Sequence, residues 1–322
     1  MKKLAALSLC ALFGGQALAQ ERVWRHGVIE PKADAGLIMA GLQGGFPEKF
    51  GLKVEILNLK SDVLGLKALL AGELDSYEGG PAGAITADSR GVDVKVIGCA
   101  WPRIPHGLFV RADITDIAQL KGKAIAISAP NAFPDLLARA ALKKAGVSPD
   151  DVNFANLGSD SDRFKALMAN VVQASVSSGE FLAVAPPDVK LLFAGRDLMP
   201  QFLRNCVMTS GKTIASKRDD AVRFMAAEIA GSRWAVTHKD EVMKITRDAA
   251  GIKADDPRPE FVFTESLKYG DFDPEMNVAK DKLAWLQNLL VETADVTKPV
   301  DIAKTYDETI RKDAAVLADK IE

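Results

Sequence analysis

Short runs rich in β-branched and aromatic residues alternate with segments of helical periodicity along most of the 322-residue sequence. Strand patterns occupy residues 23–29, 53–59 and 92–99, and residues 36–46 and 62–71 between them have the periodicity of helices. Such alternation is typical of α/β proteins whose strands pair largely in parallel. We therefore predict an α/β fold.

A second series of strand and helix patterns follows residue 111, with strand candidates at 123–128, 152–157, 174–176 and 189–193. From residue 217 to residue 322 nearly all of the sequence has helical periodicity. No low-complexity linker separates these parts. We predict two lobes joined by strands rather than independent domains on a flexible tether, with a helical C-terminal tail.

The first 19 residues have the three parts of a signal peptide. Lys2 and Lys3 precede an uncharged apolar stretch at residues 4–13, and Ala-Leu-Ala at 17–19 offers small residues for cleavage. This stretch falls short of the roughly 20 apolar residues that cross a bilayer. We expect export to the periplasm, with a mature chain that begins near Gln20.

Composition and charge narrow the choice of partner. The sequence is 48% hydrophobic and 26% charged, which is typical of soluble globular proteins. The formal net charge of −2 becomes −4 when Lys2 and Lys3 are removed with the leader, so the chain lacks the strong basic field that nucleic acid requires. We expect a monomer with no nucleic-acid partner.

Two cysteines remain outside the leader, Cys99 and Cys206. In an oxidising compartment these two residues could form a disulfide. Both also lie in apolar, β-rich stretches, where two buried thiols are an equally reasonable interpretation. The sequence leaves the two alternatives open.

The motifs of common enzymes are missing from the sequence. His26, His106 and His238 stand far apart, without an HExxH, GxSxG or CxxC pattern, and the glycine-rich residues 79–83 lack the lysine of a P-loop. Residues 271–277 place oxygen ligands at alternate positions but lack the glycine of a calcium loop, so we interpret them as a turn. We expect no enzymatic activity, no metal and no cofactor.

Four segments carry a resemblance to a known family. They are Gly-Gly-Phe-Pro-Glu-Lys-Phe-Gly-Leu at 44–52, Leu-Leu-Ala-Gly-Glu-Leu-Asp at 69–75, Ile-Ala-Gln-Leu-Lys-Gly-Lys-Ala-Ile-Ala at 117–126 and Leu-Lys-Lys-Ala-Gly-Val at 142–147. In order and spacing they resemble the binding proteins of ABC importers for sulfonates, taurine, nitrate and thiamine-pyrimidine precursors, which have the type II periplasmic binding fold. The resemblance covers residues 24–193 well and the tail only in general shape.

The resemblance implies a first lobe of residues 20–111 and 205–322, a second lobe of residues 112–204, and two crossover strands that act as a hinge. It also implies that a ligand closes the cleft between the lobes and that the closed form docks on an ABC permease. We expect a small organic anion. The alternatives are a pyrimidine precursor, a pyrimidine-synthesising enzyme of the same fold with a pyridoxal cofactor, which the leader disfavours, and a receptor for a membrane sensor.

Loops that follow strands should face the cleft. Residues Ser128 to Phe133 adjoin a helix N-terminus, which favours an anionic oxygen, although Asp135 in the same turn would repel one. Lys32, with Arg103 and His106, could pair with a carboxylate or sulfonate. The expected ligand-binding residues are Lys32, Asp34, Ser61, Glu78, Gly79, Gly80, Trp101, Ser128, Asn131, Ala132, Phe133, Ser178 and Glu180.

Overall fold

The computed structural model describes residues 22–29, 31–130, 132–293 and 296–321. The predicted signal peptide and the candidate site residue Asn131 lie outside these ranges. No helix within them is long and apolar enough to cross a membrane.

Ten strands form two sheets. They are β1 (Val23–Ile29), β2 (Lys53–Leu59), β3 (Ser76–Gly79), β4 (Val94–Trp101), β5 (His106–Arg111), β6 (Ala124–Ile127), β7 (Asn153–Asn156), β8 (Ala174–Ser178), β9 (Val189–Ala194) and β10 (Asn205–Ser210) in the described chain. The predicted bounds of the first two strands coincide with those observed.

Helices cover the sheets and make up most of the C-terminal region. They are α1 (Ala35–Gln43), α2 (Phe46–Lys49), α3 (Asp62–Ala71), α4 (Ala82–Ser89), α5 (Phe133–Lys144), α6 (Asp160–Met168), α7 (Gly195–Leu198), α8 (Gly211–Ala235), α9 (Lys239–Ala250), α10 (Arg258–Tyr269), α11 (Lys280–Glu292) and α12 (Glu308–Ala318). Short 3-10 helices occur at Ile117–Leu120, Pro149–Asp151, Gly179–Val184 and Ile302–Lys304.

The two sheets have the same topology. The first has the order β2-β1-β3-β10-β4 and the second the order β7-β6-β8-β5-β9. In each sheet one strand runs antiparallel to its neighbours, β10 between β3 and β4 and β5 between β8 and β9. We call the first sheet with α1–α4 and α8–α12 lobe 1, and the second sheet with α5–α7 lobe 2.

The position of β5 differs from the expectation. Residues 106–111 were predicted to belong to the first lobe, but β5 pairs with β8 and β9 in the second sheet. The chain therefore crosses between the sheets at residues 102–105, before β5, and returns at residues 199–204. A strand's membership of a sheet depends on its distant pairing partners, and the local sequence pattern carries no information on them.

The core of lobe 1 has two parts, one between its sheet and the helices α1, α8 and α12 and one on the opposite face with α3, α4 and α11. Trp24 of β1 stacks on Phe224 of α8 with ring centroids 5.4 Å apart, and both rings are fully buried. Helices α1 and α8 cross at two glycines, since a Cβ atom at Gly231 would lie 2.2 Å from the Cα of Gly41. A side chain at this crossing would force the two helices apart.

A disulfide joins Cys99 of β4 to Cys206 of β10 in lobe 1, which settles the alternative that the sequence left open. These two strands adjoin the segments through which the chain enters and leaves lobe 2. The closed loop of 107 residues contains all of lobe 2.

Lobe 2 buries apolar side chains on both faces of its sheet, because successive residues of a strand point to opposite faces. Leu108 belongs to the apolar cluster that contains α5, whereas its neighbour Phe109 belongs to the cluster that contains α6. On the α6 side Phe164 lies edge-on to Phe109 at 5.3 Å and stacks on Phe181 at 4.6 Å. Three aromatic rings thus fill the centre of that face.

Candidate ligand-binding cleft

A cleft of about 710 Å³ lies between the lobes. Lobe 1 contributes the segment after β1, the start of α3 and the region from α9 to the start of α10. Lobe 2 contributes β5, the starts of α5 and α6, and the 3-10 helix after β8. The lining residues are Ile29, Pro31, Lys32, Ala33, Lys60, Ser61, Asp62, His106, Ser128, Phe133, Pro134, Gly158, Ser159, Asp160, Ser161, Arg163, Glu180, Phe181, Ala250, Ile252 and Arg258.

Asp160, the first residue of α6, is the centre of a charged network on the lobe 2 wall. Its carboxylate lies 3.1 Å from the Nζ of Lys32 and 3.5 Å from the Nε2 of His106, and it also accepts a hydrogen bond from Arg163. Burial opposes ionisation of Asp160, but these neighbours hold its pKa well below the usual range. Burial also lowers the pKa of His106, against the opposing effect of Asp160.

Two ion pairs bridge the lobes across the cleft. Lys32 of lobe 1 contacts Asp160 of lobe 2, and Arg258 of lobe 1 contacts Glu180 of lobe 2 at 3.4 Å. Burial and the nearby Asp34 carboxylate raise the pKa of Glu180 to about 7, against the opposing effect of Arg258. Opposite charges from the two lobes thus meet across the cleft at two places.

The start of α5 is open to an anionic group. Ser128 and Phe133 line the cleft there, while Asp135 in the first turn is fully buried and bonds to the Nε of Arg139 at 2.9 Å. Asp135 is not among the lining residues. The repulsion that the sequence suggested is therefore weakened, because this carboxylate is paired away from the cleft.

A crevice of about 70 Å³ adjoins the cleft in lobe 1, and the two share Ile29, Pro31 and Lys32. Its polar lining consists of Asp34, Glu78, Arg204 and Asn205, and its apolar lining of Val28, Ala35, Ile38 and Met39. The guanidinium of Arg204 donates a hydrogen bond to Asp34 and lies 4.7 Å above the ring of Trp101. Arg204 is thereby held in place from two sides.

The structure brings many of the predicted site residues to these two cavities. Those that line the cleft are Lys32, Ser61, Ser128, Phe133 and Glu180, and those that line the crevice are Lys32, Asp34 and Glu78.

Trp101 was among the expected ligand-binding residues, but it lines neither cavity. It is fully buried in the core of lobe 1, edge-on to Phe272 at 5.6 Å. Trp101 is the last residue of β4 and still faces the core there, because the strand extends two residues beyond its predicted end.

Four further candidates lie close to the cleft without lining either cavity. Gly80 donates its backbone N–H to Asp62 at 2.9 Å, and a Cβ atom at Gly79 would lie 2.0 Å from the same carboxylate. This carboxylate separates both glycines from the ligand space. Ser178 is buried at the end of β8, opposite His106, and Ala132 caps α5.

Several charged lining residues were missed. Asp160 and Arg163 follow β7, a strand whose loop could have been added by the same rule that selected the other loops. Arg204 lies in the return crossover and Arg258 at the start of α10, where helical periodicity alone does not indicate a position beside the cleft. Among the described residues, no group of three or more His, Cys, Asp or Glu side chains is placed to hold a metal ion.

A family model described as NMT1/THI5 like matches residues 33–242, which is more than half of the sequence. The chain belongs to the NMT1/THI5-like family. This membership confirms the predicted resemblance. A search of curated proteins finds no significant match.

Solved structures with the same fold as this NMT1/THI5-like protein are numerous. The periplasmic aliphatic sulphonate binding protein SsuA from Escherichia coli is 18% identical, with a TM-score of 0.74 over 90% of this chain and 99% of that one. The alkanesulfonate-binding protein SsuA from Xanthomonas axonopodis pv. citri, bound to MOPS, is 18% identical, with a TM-score of 0.69 over 88% and 98%. These similarities confirm the predicted two-lobed α/β fold.

Proposed function

We propose that this protein is the periplasmic substrate-binding component of an ABC importer and that it binds a small organic anion by closure of its two lobes. The observation that carries the proposal is the cleft itself, which is bridged by Lys32–Asp160 on one side and Arg258–Glu180 on the other. A ligand that joins the same two walls favours the closed form. Binding and release require no chemical reaction.

The charges and helix ends around the cleft support an anionic ligand. Lys32, Lys60 and Arg258 supply positive charge, and the positive end of the α5 helix dipole lies beside Ser128. The neighbouring ring of Phe133, which lies 5.0 Å from that of His106, offers an apolar surface to the body of the ligand. The sulfonate ligands named for two proteins of the same fold agree with this chemistry.

Calorimetric titration of the mature protein against sulfonates, aromatic carboxylates, nitrate and pyrimidines tests the proposal. We expect one anionic class to bind and to raise the melting temperature, because a ligand of the native state stabilises it by mass action. Binding of neutral pyrimidines alone would contradict the anionic ligand, and no binding of any class would contradict the importer function.

A variant pair shows whether the binding uses this cleft. Lys32→Met removes the lysine that bridges the lobes. It should weaken the binding of the anion by about tenfold or more, since a charge-assisted hydrogen bond contributes roughly 1.5–3 kcal/mol. Lys67→Met, at an exposed position of α3 that lines neither cavity, serves as the matched control. Equal affinities of the two variants would place the ligand elsewhere.

A further inference from the structure

Arg204, which lines the crevice beside the cleft, has a hydrogen-bond donor without a partner among the described residues. One terminal nitrogen of Arg204, Nη2, donates to Asp34, whereas the other, Nη1, is buried and has no partner among the described residues. A buried guanidinium N–H that lacks an acceptor costs free energy of desolvation. A ligand that brings an acceptor to this N–H would remove that cost. The stacking on Trp101 and the bond to Asp34 orient this donor before any ligand binds.

Glu78 lies in the same crevice and complements Arg204. The carboxyl group is on β3 and the residue is only 6% exposed. Burial, together with the nearby carboxylates of Glu228 and Asp34, raises the pKa of Glu78 well above its usual value. In its neutral form the carboxyl group can both accept and donate a hydrogen bond.

The charges around the crevice are mixed, so an ion of either sign meets a like charge there. An anion that approaches Arg204 would also approach the Asp34 carboxylate, and a cation that approaches Asp34 would meet Arg204 and Lys32. Like charges in such a buried place repel strongly. A neutral polar group that offers an acceptor and a donor side by side meets neither penalty.

We propose that the crevice is a subsite for a carboxamide-like group of the ligand, whose carbonyl oxygen accepts from Arg204 and whose N–H donates to Glu78. This inference rests on the proposed function and deepens it, because the transported anion then carries an uncharged amide at the end away from its acidic group. The volume of about 70 Å³ is sufficient for one such small group, flanked by Val28, Ile38 and Met39.

Acetamide is a probe of the subsite alone, and its binding is measured by NMR titration of the mature protein, followed at the backbone amide of Asn205. Acetone has the same shape and carbonyl but no N–H, while acetate and methylammonium represent the two ionic alternatives. We expect acetamide to bind at least about tenfold more tightly than each of the other three, because each leaves Arg204 or Glu78 unpaired or meets a like charge.

Two substitutions at Glu78 separate hydrogen bonding from charge. Glu78→Gln keeps a neutral donor and acceptor of the same size and should retain acetamide binding. Glu78→Leu should lower the affinity for acetamide by about tenfold or more. Melting temperatures of both variants verify that they are folded, and a crystal soaked in acetamide locates the probe.

Equal binding of acetone, preferential binding of acetate or methylammonium, or an absence of acetamide from the crevice would each overturn the inference. Failure of the larger ligand screen with acetamide still bound would contradict the anionic ligand and leave the subsite in place. An anion that binds in the cleft while acetamide does not bind in the crevice would support the anionic ligand and contradict the subsite.

Discussion

The two lobes have the same strand order and maintain it by different means. Lobe 1 covers its sheet with the long helix α8 and with α9–α12 from the C-terminal region, and it links β4 to β10 by a disulfide. Lobe 2 is built from one continuous stretch of chain. Both lobes bury an apolar cluster on each face of the sheet, but lobe 1 completes its clusters with helices from the C-terminal region and adds a cross-link.

The buried charges also differ between the lobes. In lobe 2 the buried Arg163 is satisfied by Asp160 and by the carbonyl oxygens of Gly158 and Val176. In lobe 1 the fully buried Glu228 of α8 has a side-chain oxygen without a partner, and burial raises its pKa to about 8. The buried guanidinium of lobe 2 is thus paired, whereas the buried carboxyl group of lobe 1 retains its proton to a higher pH than usual.

Removal of the disulfide should have the largest effect on the free energy of unfolding, and its local effect should be greatest in the lobe 1 strands β4 and β10. The double substitution Cys99→Ser and Cys206→Ser opens a loop of 107 residues, for which chain entropy predicts a loss of about 4–5 kcal/mol in the free energy of unfolding. Hydrogen exchange measured by mass spectrometry should show faster exchange in β4 and β10 than in β6 and β8. Equal acceleration in both lobes would mean that the cross-link stabilises the whole chain.

Truncation of the aromatic cluster should weaken lobe 2 in particular. Phe164→Ala removes the central ring between Phe109 and Phe181, and a buried phenylalanine truncated to alanine typically costs about 3–4 kcal/mol. Phe224→Ala is the corresponding variant in lobe 1, since Phe224 packs against Trp24 and His26 of β1. Each variant should accelerate hydrogen exchange chiefly in its own lobe. Faster exchange in the other lobe would contradict the idea that the two lobes have separate cores.

Neutralisation of Glu228 should have a smaller effect that depends on pH. The folded protein keeps the proton of this residue up to a pKa of about 8, whereas the unfolded chain releases it near the ordinary value of 4.5. The stability that Glu228 contributes is therefore present below about pH 4.5 and is lost as the pH rises towards 8. Glu228→Gln should gain stability relative to the wild type as the pH rises from about 4.5 towards 8 and should show no gain at pH 4.

Urea denaturation at several pH values measures this difference. Glu241→Gln at an exposed position of α9 is the control and should leave the pH dependence unchanged. A constant difference between Glu228→Gln and the wild type from pH 4 to pH 8 would show that Glu228 does not titrate in this range.

The sequence predicts the cleft better than it predicts the charges within it. Lys32, Ser61 and Ser128 were found because loops after parallel strands gather at one edge of a sheet, a rule that needs only the positions of the strands. Arg204 and Arg258 were missed because they reach the cavities from a crossover segment and a C-terminal helix. Trp101 was assigned to the cleft because a strand end was misplaced by two residues.

Local pattern alone determined the α/β class, the helical C-terminal region and the bounds of β1, β2 and α3, because side-chain periodicity and capping residues act within a few positions along the chain. Tertiary structure alone decided that β5 joins the second sheet, that Cys99 and Cys206 are bonded, and that Arg204 lies beside Asp34 and Glu78. These contacts join residues far apart in the sequence, and their formation depends on how whole elements pack.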